Sequence, residues 1–376
     1  MRYYIIAGEA SGDLYGANLI RALREEDPQA EFRFWGGDAM RREAGEPVRH
    51  IRDLAIMGFV EVVLNLRTVL GNISFCKNDI LSWHPDAVIG IDYPGFNLKI
   101  EKWAHEHNIK AIHYISPQLW AWKKGRLKGM RRYLDRLCYI LPFEQQFYAE
   151  NNMPQAVYVG HPLIEVIGDF QKGTKDIKDP KGLKDTDSRP IIALLPGSRK
   201  QELKNSLPGM LQLAKNHPEY HFVVGGMSLL GKALYDRFIP ADAGITIVFD
   251  QTYQLLSQAY AAVVCSGTAT LETGLFHVPQ VVCYRGNAIS IAIARALVGN
   301  RINHIALVDL IDDSNVVTEL LQQDFNEKRL EAEFSLITVD SANREQMLEG
   351  YRRVEKKLGN AGASRRTARA IIETIG

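Results

Sequence analysis

Cysteine is scarce: Cys76, Cys138, Cys265 and Cys283 are the only 4 in 376 residues, and no two form a C-x-x-C pair. That spacing argues against a disulfide framework or a thiolate metal site. Three of the four sit in apolar, strand-like runs, as buried thiols do in a reducing compartment. Neither sign of charge is in excess, because 45 Lys plus Arg against 44 Asp plus Glu leave +1. No global field therefore favours nucleic acid, and no nucleic-acid partner is expected. No apolar run approaches the ~18 residues of a membrane span. The first residues carry neither a basic leader nor a small-residue cleavage site. The expected location is cytoplasmic, with attachment to a membrane surface left open. Histidines (His84, His113, His161, His221, His277, His304) are too scattered to suggest a metal triad. Walker, H-E-x-x-H and G-x-S-x-G sequences are missing, and so is any short-period repeat.

What the chain does have is alternation. Short β-branched or aromatic runs recur with helix-length spacers between them. In the first half they are Tyr3–Ala7, Phe32–Trp35, Ala87–Ile91, Ala111–Ile115, Leu137–Ile140 and Val157–Val159. In the second half they are Ile191–Leu195, His221–Val224, Ile245–Val248, Ala261–Cys265 and Gln280–Cys283. Such runs, bounded by turn residues, predict parallel βαβ units and an α/β fold. Residues 171 to 190, rich in Lys, Asp and Gly, break the rhythm and predict a solvated loop. A new strand and its own glycine turn follow at once. Length favours two domains. The expected division is 1–165, completed by charged C-terminal helices at 341–376, and 166–340.

The turns after three strands carry the chemistry. In "LLPGSRKQE" (194–202) a strand runs through Pro196, Gly197 and Ser198 into a helix that starts at Arg199. A helix N-terminus offers unpaired amides and partial positive charge to an anion, and Arg199 adds a planar donor for phosphate. A plain N-cap with a solvated arginine is the bland alternative. In "SGTATLE" (266–272) Ser266, Gly267 and Thr268 again end a strand, and small residues let amides approach a diphosphate. Glu272, one turn on, suits ribose hydroxyls; a capping-box-like start is its alternative. In "VIGIDYPGFN" Asp92 stands at a strand's C-terminal end, where a general base or an Asx-turn residue would stand.

Four features are less decided. "AGEASGD" (7–13) is a glycine turn carrying Glu9 and Asp13, carboxylates that do not suit a phosphate loop. Trp120 and Trp122 suit a sugar face or a core. The basic group after them (Lys123, Lys124, Arg126, Lys128, Arg131, Arg132) suits a solvated face or anionic headgroups. From Leu54 to Ile80, Leu64, Leu66, Val69, Leu70 and Ile73 make an apolar face, preceded by Ile56, Met57 and Phe59. A buried helix face is the default reading, and a membrane-facing helix the sharper one.

Eight stretches in this order, "AGEASGD", "MGFVEVV", "GIDYPGFN", "HYISPQLWAW", "LPFE", "VGHPL", "LLPGSR" and "SGTATLE", closely resemble the lipid-A-disaccharide synthase family. The resemblance runs from Ala7 to about Gln322. It implies a GT-B fold, two Rossmann-like doubly wound parallel-sheet domains facing a central cleft. It also implies an inverting glycosyltransferase that joins UDP-2,3-diacylglucosamine to 2,3-diacylglucosamine 1-phosphate (lipid X), giving a β-1,6-linked disaccharide 1-phosphate and UDP. By this resemblance Asp92 is the base, with Glu9 the nearby alternative. Gly197, Ser198, Arg199, Glu202, Ser266, Gly267, Thr268, Thr270 and Glu272 bind the nucleotide and diphosphate. Ser11, Asp13, Asn97, Gln118 and Trp120 lie on the acceptor side. Ile56, Met57, Phe59, Leu66, Val69, Leu70 and Ile73 face the cytoplasmic leaflet of the inner membrane, to which the enzyme attaches peripherally. No cofactor and no metal is expected; a homodimer stays open.

Two positions depart from the family pattern. Gly95 stands where the family usually has aspartate, and Asp309, in "LVDLI", stands where it usually has asparagine. No functional role is carried to Asp309, since an aspartate would repel a phosphate. A UDP-sugar 2-epimerase and a non-enzymatic lipid- or nucleotide-binding scaffold are the competing readings.

Overall fold

Runs apolar at every position, such as Tyr3–Ala7 and Ile191–Leu195, need cover on both faces, which helices flanking a parallel sheet provide. The computed structural model describes residues 1–54, 66–119, 125–174, 187–240, 243–286, 304–339 and 342–376. The chain forms two compact units, Met1–Pro162 with Asn360–Gly376, and Leu163–Gly359.

The first unit runs β1 (Arg2–Ala7), α1 (Ala10–Glu26), β2 (Glu31–Gly36), α2 (Asp38–Ala44), β3 (Arg49–His50) and α3 (Ile51–Leu54). It continues with α4 (Leu66–Trp83), β4 (Ala87–Ile91), α5 (Pro94–Glu106) and β5 (Lys110–Tyr114). It then runs through α6 (Arg126–Tyr133), β6 (Arg136–Tyr139), α7 (Glu144–Glu150) and β7 (Ala156–Tyr158). Its seven strands form one parallel sheet in the order β3-β2-β1-β4-β5-β6-β7. The order reverses between β1 and β4, which are adjacent in the sheet.

The second unit opens with α8 (Pro162–Thr174), so the solvated loop expected from 171 begins later; 175–186 lie outside the described residues. It continues with β8 (Ile191–Leu195), α9 (Lys200–Asn216), β9 (His221–Gly226), α10 (Lys232–Tyr235), β10 (Thr246–Phe249) and α11 (Thr252–Leu256). Next come β11 (Ala259–Cys265), α12 (Thr268–Leu275), β12 (Gln280–Tyr284), α13 (Leu307–Asp312), β13 (Thr318–Leu321), α14 (Glu327–Thr338) and α15 (Ala342–Leu358). Six parallel strands lie in the order β10-β9-β8-β11-β12-β13, reversing between β8 and β11.

Every expected strand is present. β3 and β13 were not expected: β3 has two residues, and β13 is an edge strand whose "TELL" lacks an apolar run. The expected domain division needs correction at its end. Helix α15 packs on the second unit, where the Gln280 side chain donates to Tyr351 Oη at 3.1 Å and Tyr351 donates to the Val278 carbonyl at 3.2 Å. Only α16 (Ala363–Ile375) returns to the first unit. There Arg365 and Arg369 reach Glu26 at 2.7 and 3.0 Å, and Arg366 donates to the Val159 carbonyl at 2.7 Å.

The expected membrane face also needs correction. On α4, Val69, Ile73, Cys76 and Ile80 recur at spacings of four, three and four, one stripe of a helix. That stripe packs on Tyr4, Ile6, Trp35 and Val88 of the sheet, and Ile73 is only 8% exposed. Leu70 points the other way and is 54% exposed. Ile56, Met57, Phe59 and the Leu66 side chain lie outside the described residues. The four cysteines are free and buried. No helix among the described residues is long and apolar enough to cross a membrane.

Burial on one stripe fixes the outcome of two substitutions. Ile73→Ala should lower unfolding free energy by about 2–4 kcal/mol through the cavity it leaves. Leu70→Ser should change it by less than about 0.5 kcal/mol. Urea denaturation followed by circular dichroism measures both, and equal effects would contradict this packing.

Candidate active site

Where strand order reverses in a parallel sheet, the chains leaving two neighbouring strands diverge to opposite faces, and ligands bind in the gap. In the first unit that gap lies beyond the C-terminal ends of β1 and β4, at Gly8–Glu9 and Asp92–Tyr93. The two ends are locked together sterically. A Cβ on Gly8 would stand 2.5 Å from the Tyr93 ring, so this turn takes glycine because an aromatic ring lies on it. Tyr93 stacks in turn on Phe96, at 5.6 Å between centroids.

Asp92 and Tyr93 both have left-handed backbones, with φ of +46° and +50°, and neither is glycine. Two such residues in succession are strained and persist only where the surroundings hold them. The holding groups are visible. The Asp92 amide donates to the Tyr114 carbonyl at 2.9 Å, and Asn97 Nδ2 donates to the Asp92 carbonyl at 2.7 Å. Asp92 itself is half-buried just past the end of β4. Glu9 caps α1 with an extended backbone and is exposed beside it, close enough to push the Tyr93 hydroxyl pKa upward, after burial has done most of that.

The acceptor-side residues divide. Ser11 is half-buried and Gln118 exposed, whereas Trp120 lies outside the described residues. Asp13 is reassigned. It is 6% exposed, and its carboxylate accepts from the amides of Gly37, Ala39 and Met40 at 2.6, 2.9 and 3.0 Å. It satisfies the open N-terminus of α2, as a capping carboxylate does. Asn97 is likewise buried, its Nδ2 shared among the carbonyls of Ile6, Ile91 and Asp92. It positions the two strand ends. At Gly95 an added Cβ meets nothing within 4 Å, so sterics do not require glycine there.

In the second unit the gap falls between β8 and β11, at Pro196–Arg199 and Ser266–Thr268. Gly197 has φ +108°, a conformation that disfavours any side chain, and a Cβ there would meet Glu202 Cβ at 2.5 Å. The turn aims the amides of Ser198 and Arg199 at one point, where Glu202 Oε2 accepts both at 3.0 and 3.2 Å. A carboxylate oxygen thus stands where an anion's oxygen would. The Arg199 side chain is 62% exposed beside it, 3.7 Å from the other Glu202 oxygen. Across the gap Gly267 and Thr268 are exposed, and a Cβ on Gly267 would meet nothing within 4 Å. Ser266 is half-buried and donates to the Ile305 carbonyl at 3.3 Å.

One of the expected nucleotide residues, Thr270, does different work. Thr270 is wholly buried, donating to the Gly267 carbonyl at 2.9 Å and accepting from the Leu307 amide at 3.2 Å. It braces the turn from behind. Glu272 is half-buried and accepts from Tyr253 Oη at 3.0 Å; burial raises its pKa and that hydrogen bond opposes the rise. Sequence spacing had not paired Tyr253 with it.

Asp309 resolves one departure from the family pattern. It is fully buried, and Oδ1 accepts from the amides of Val316 and Val317 at 2.8 and 3.0 Å, so it shapes a loop. Oδ2 has no hydrogen-bond partner; it faces His304 Nδ1 at 3.9 Å and the carboxylate of Glu319. Glu319 is bonded to the amides of Ile305 and Ala306, its nearest contact at 2.7 Å. Among the described residues this trio alone brings three ligand-type atoms within 4.8 Å of one another. Burial, then the Glu319 charge, push the Asp309 pKa up to about 8. The folded state therefore retains a proton that the unfolded chain loses near pH 4. Stability should fall as pH rises from about 4 through about 8, and Asp309→Asn should flatten that fall. Thermal midpoints of both proteins across the window test this; parallel curves would contradict it.

Over residues 3–372 the chain matches the lipid-A-disaccharide synthetase family. It is 33% identical to the lipid-A-disaccharide synthase of Geobacter sulfurreducens over 100% of this chain and 97% of the relative. It is 36% identical to that of Syntrophus aciditrophicus over 99% and 97%. Among solved structures, UDP-GlcNAc 2-epimerase from Neisseria meningitidis superposes with a TM-score of 0.71 at 12% identity, covering 99% of this chain and 100% of that one. The glycosyltransferase of kitacinnamycin does so with 0.65 at 15% identity, covering 100% and 99%. At those identities the structures speak to the two-domain α/β fold alone, which is that of GT-B glycosyltransferases and these epimerases. The full-length sequence match goes further: the chain belongs to the lipid-A-disaccharide synthetase family of glycosyltransferases, whose members form the lipid A disaccharide.

Proposed function

We propose that this protein transfers the 2,3-diacylglucosamine unit of UDP-2,3-diacylglucosamine to the 6-hydroxyl of 2,3-diacylglucosamine 1-phosphate, with inversion at the anomeric carbon. The observation carrying this reading is the pair of amides, Ser198 and Arg199, converging on one anionic oxygen at a strand-order reversal. A nucleoside diphosphate places its phosphate oxygens at that point, and Glu202 yields it. Arg199 adds charge to the leaving group, and the exposed turn at Gly267 and Thr268 adds open backbone. Glu272 takes the ribose hydroxyls.

In the reaction, the acceptor oxygen bonds to the anomeric carbon as the bond from that carbon to the diphosphate oxygen breaks. The electron pair leaves on UDP. The hydroxyl proton passes to the carboxylate of Asp92, which follows β4 with a strained backbone. Arginine and helix N-termini neutralise the diphosphate, and this scheme assigns no step to a metal. Both substrates carry acyl chains. We assign the protein to the cytoplasmic leaflet of the inner membrane as a peripheral enzyme, with exposed Leu70, Phe75 and Leu81 of α4 as the apolar side chains available to it.

Incubation with both monosaccharide lipids should yield disaccharide and UDP, and UDP-GlcNAc should not be epimerised. Asp92→Ala should lower turnover by about 100-fold or more, as loss of a general base does. Near-parental turnover would remove Asp92 from that role. Arg199→Ala should weaken UDP binding by about 10–100-fold, the worth of one charge-assisted contact; unchanged calorimetric affinity would place the diphosphate elsewhere.

A further inference from the structure

Beneath Asp92 lies a buried acid–base pair that the scheme above leaves unused. His113 of β5 is 0% exposed and Glu101 of α5 is 1% exposed, with His113 Nδ1 and Glu101 Oε1 2.6 Å apart. The pair spans β4 at Gly90, which registers with His113 in the sheet. A Cβ on Gly90 would stand 2.1 Å from Glu101 Oε1. Glycine at 90 is thus what lets a carboxylate on the helix reach a histidine on the next strand. Glu101 Oε2, His113 Nε2 and Asn97 Oδ1 have no hydrogen-bond partner in this buried layer.

Such a pair is a poor device for stability. Removing two charges from water costs several kcal/mol, and well-packed apolar residues often do as well or better. Its position is more telling. Asp92 and Tyr93 follow β4 directly, and Ile115, two residues after His113, is left-handed with φ +69°, an outlier for a β-branched residue. Strain therefore gathers at the ends of the two strands that flank the pair, and Asn97 links this layer to the Asp92 carbonyl.

Burial raises the pKa of Glu101 and opposes charge on His113. At His113 the carboxylates of Glu101 and then Asp92 outweigh burial, and the ring's pKa ends above its ordinary value. Among the described residues those two carboxylates are the charged groups acting on the ring, one from α5 and one from the turn after β4; the backbone at Ile115, just past β5, adds in the same direction.

We propose that Glu101 and His113 are positioning residues for Asp92: the buried carboxylate holds the imidazole cationic, and the cation keeps the Asp92 carboxylate ionised and oriented for the acceptor hydroxyl. This rests on Asp92 being the base. His113→Gln should lower kcat about tenfold or more and move the acid limb of its pH profile upward by about 0.5–1 pH unit, with donor KM within about threefold. Glu101→Gln should shift the limb in the same direction. In the unsubstituted protein, imidazole ¹⁵N shifts should show His113 doubly protonated at pH 7.5, a reading that needs no variant to fold.

A neutral His113 ring at that pH would overturn the proposal. So would a folded His113→Gln enzyme whose acid limb stays in place. If Asp92→Ala keeps its turnover, the base assignment fails and the pair's role falls with it. If Asp92→Ala is inactive while both pair variants leave the limb unmoved, the pair's role alone fails.

Discussion

A parallel sheet brings the C-terminal ends of all its strands to one edge, and a reversal in strand order opens a gap at that edge. Everything functional described above depends on that constraint being met twice. In the first unit the reversal sets Glu9 beside Asp92, although 83 positions separate them in the chain. In the second it sets the Ser198–Arg199 amides opposite the Gly267–Thr268 turn. The chemistry differs because the turns differ: one edge offers carboxylates, the other offers amides and a guanidinium. The handedness of βαβ crossovers fixes where the gaps fall, and the turn residues fix what they bind.

How much of this could be read from the chain follows from what each signal depends on. Buried strands such as Ile191–Leu195 were legible because double-sided burial demands uninterrupted apolar residues. β3 and β13 were not, since two residues and a "TELL" offer no apolar run, whereas the other edge strands, β7 and β10, carry enough apolar residues to be read. The strand-end turns were legible because glycine, proline and small hydroxyl residues mark them. Asp13, Asn97 and Thr270 fall within the same motifs, yet the Asp13 carboxylate, the Asn97 Nδ2 and the Thr270 hydroxyl are consumed by backbone amides and carbonyls. A motif records that a position is constrained; it does not record whether a ligand or the fold imposes the constraint. Val69 and Ile73 were misjudged for a related reason. An apolar helical stripe reads the same whether a sheet or a lipid covers it.

Buried polar groups recur as the supports of these edges. Asp13 holds α2 against α1, Asn97 ties β1 to β4, Asp309 closes the loop before β13, and Glu202 fills the amide pair at the second edge. In the first three the carboxylate or amide is nearly or wholly inaccessible and replaces water that the backbone would otherwise need. Glu202 differs in that its side chain is 20% exposed. An asparagine at position 309, which the family resemblance leads one to expect, would carry as a side-chain amide what Asp309 carries as a titrating proton, and so would need no particular pH.

The return of α16 to the first unit has a consequence for the order in which the molecule is made. α16 lies against α1 and the end of β7, and its Arg365, Arg366 and Arg369 supply Glu26 and the Val159 carbonyl with partners. A ribosome completes β1 to β7 some 200 residues before it delivers α16. Until then the nascent first unit exposes the apolar flank of its earliest helix, while the second unit can close as soon as α15 emerges. The unit translated first is therefore the one finished last.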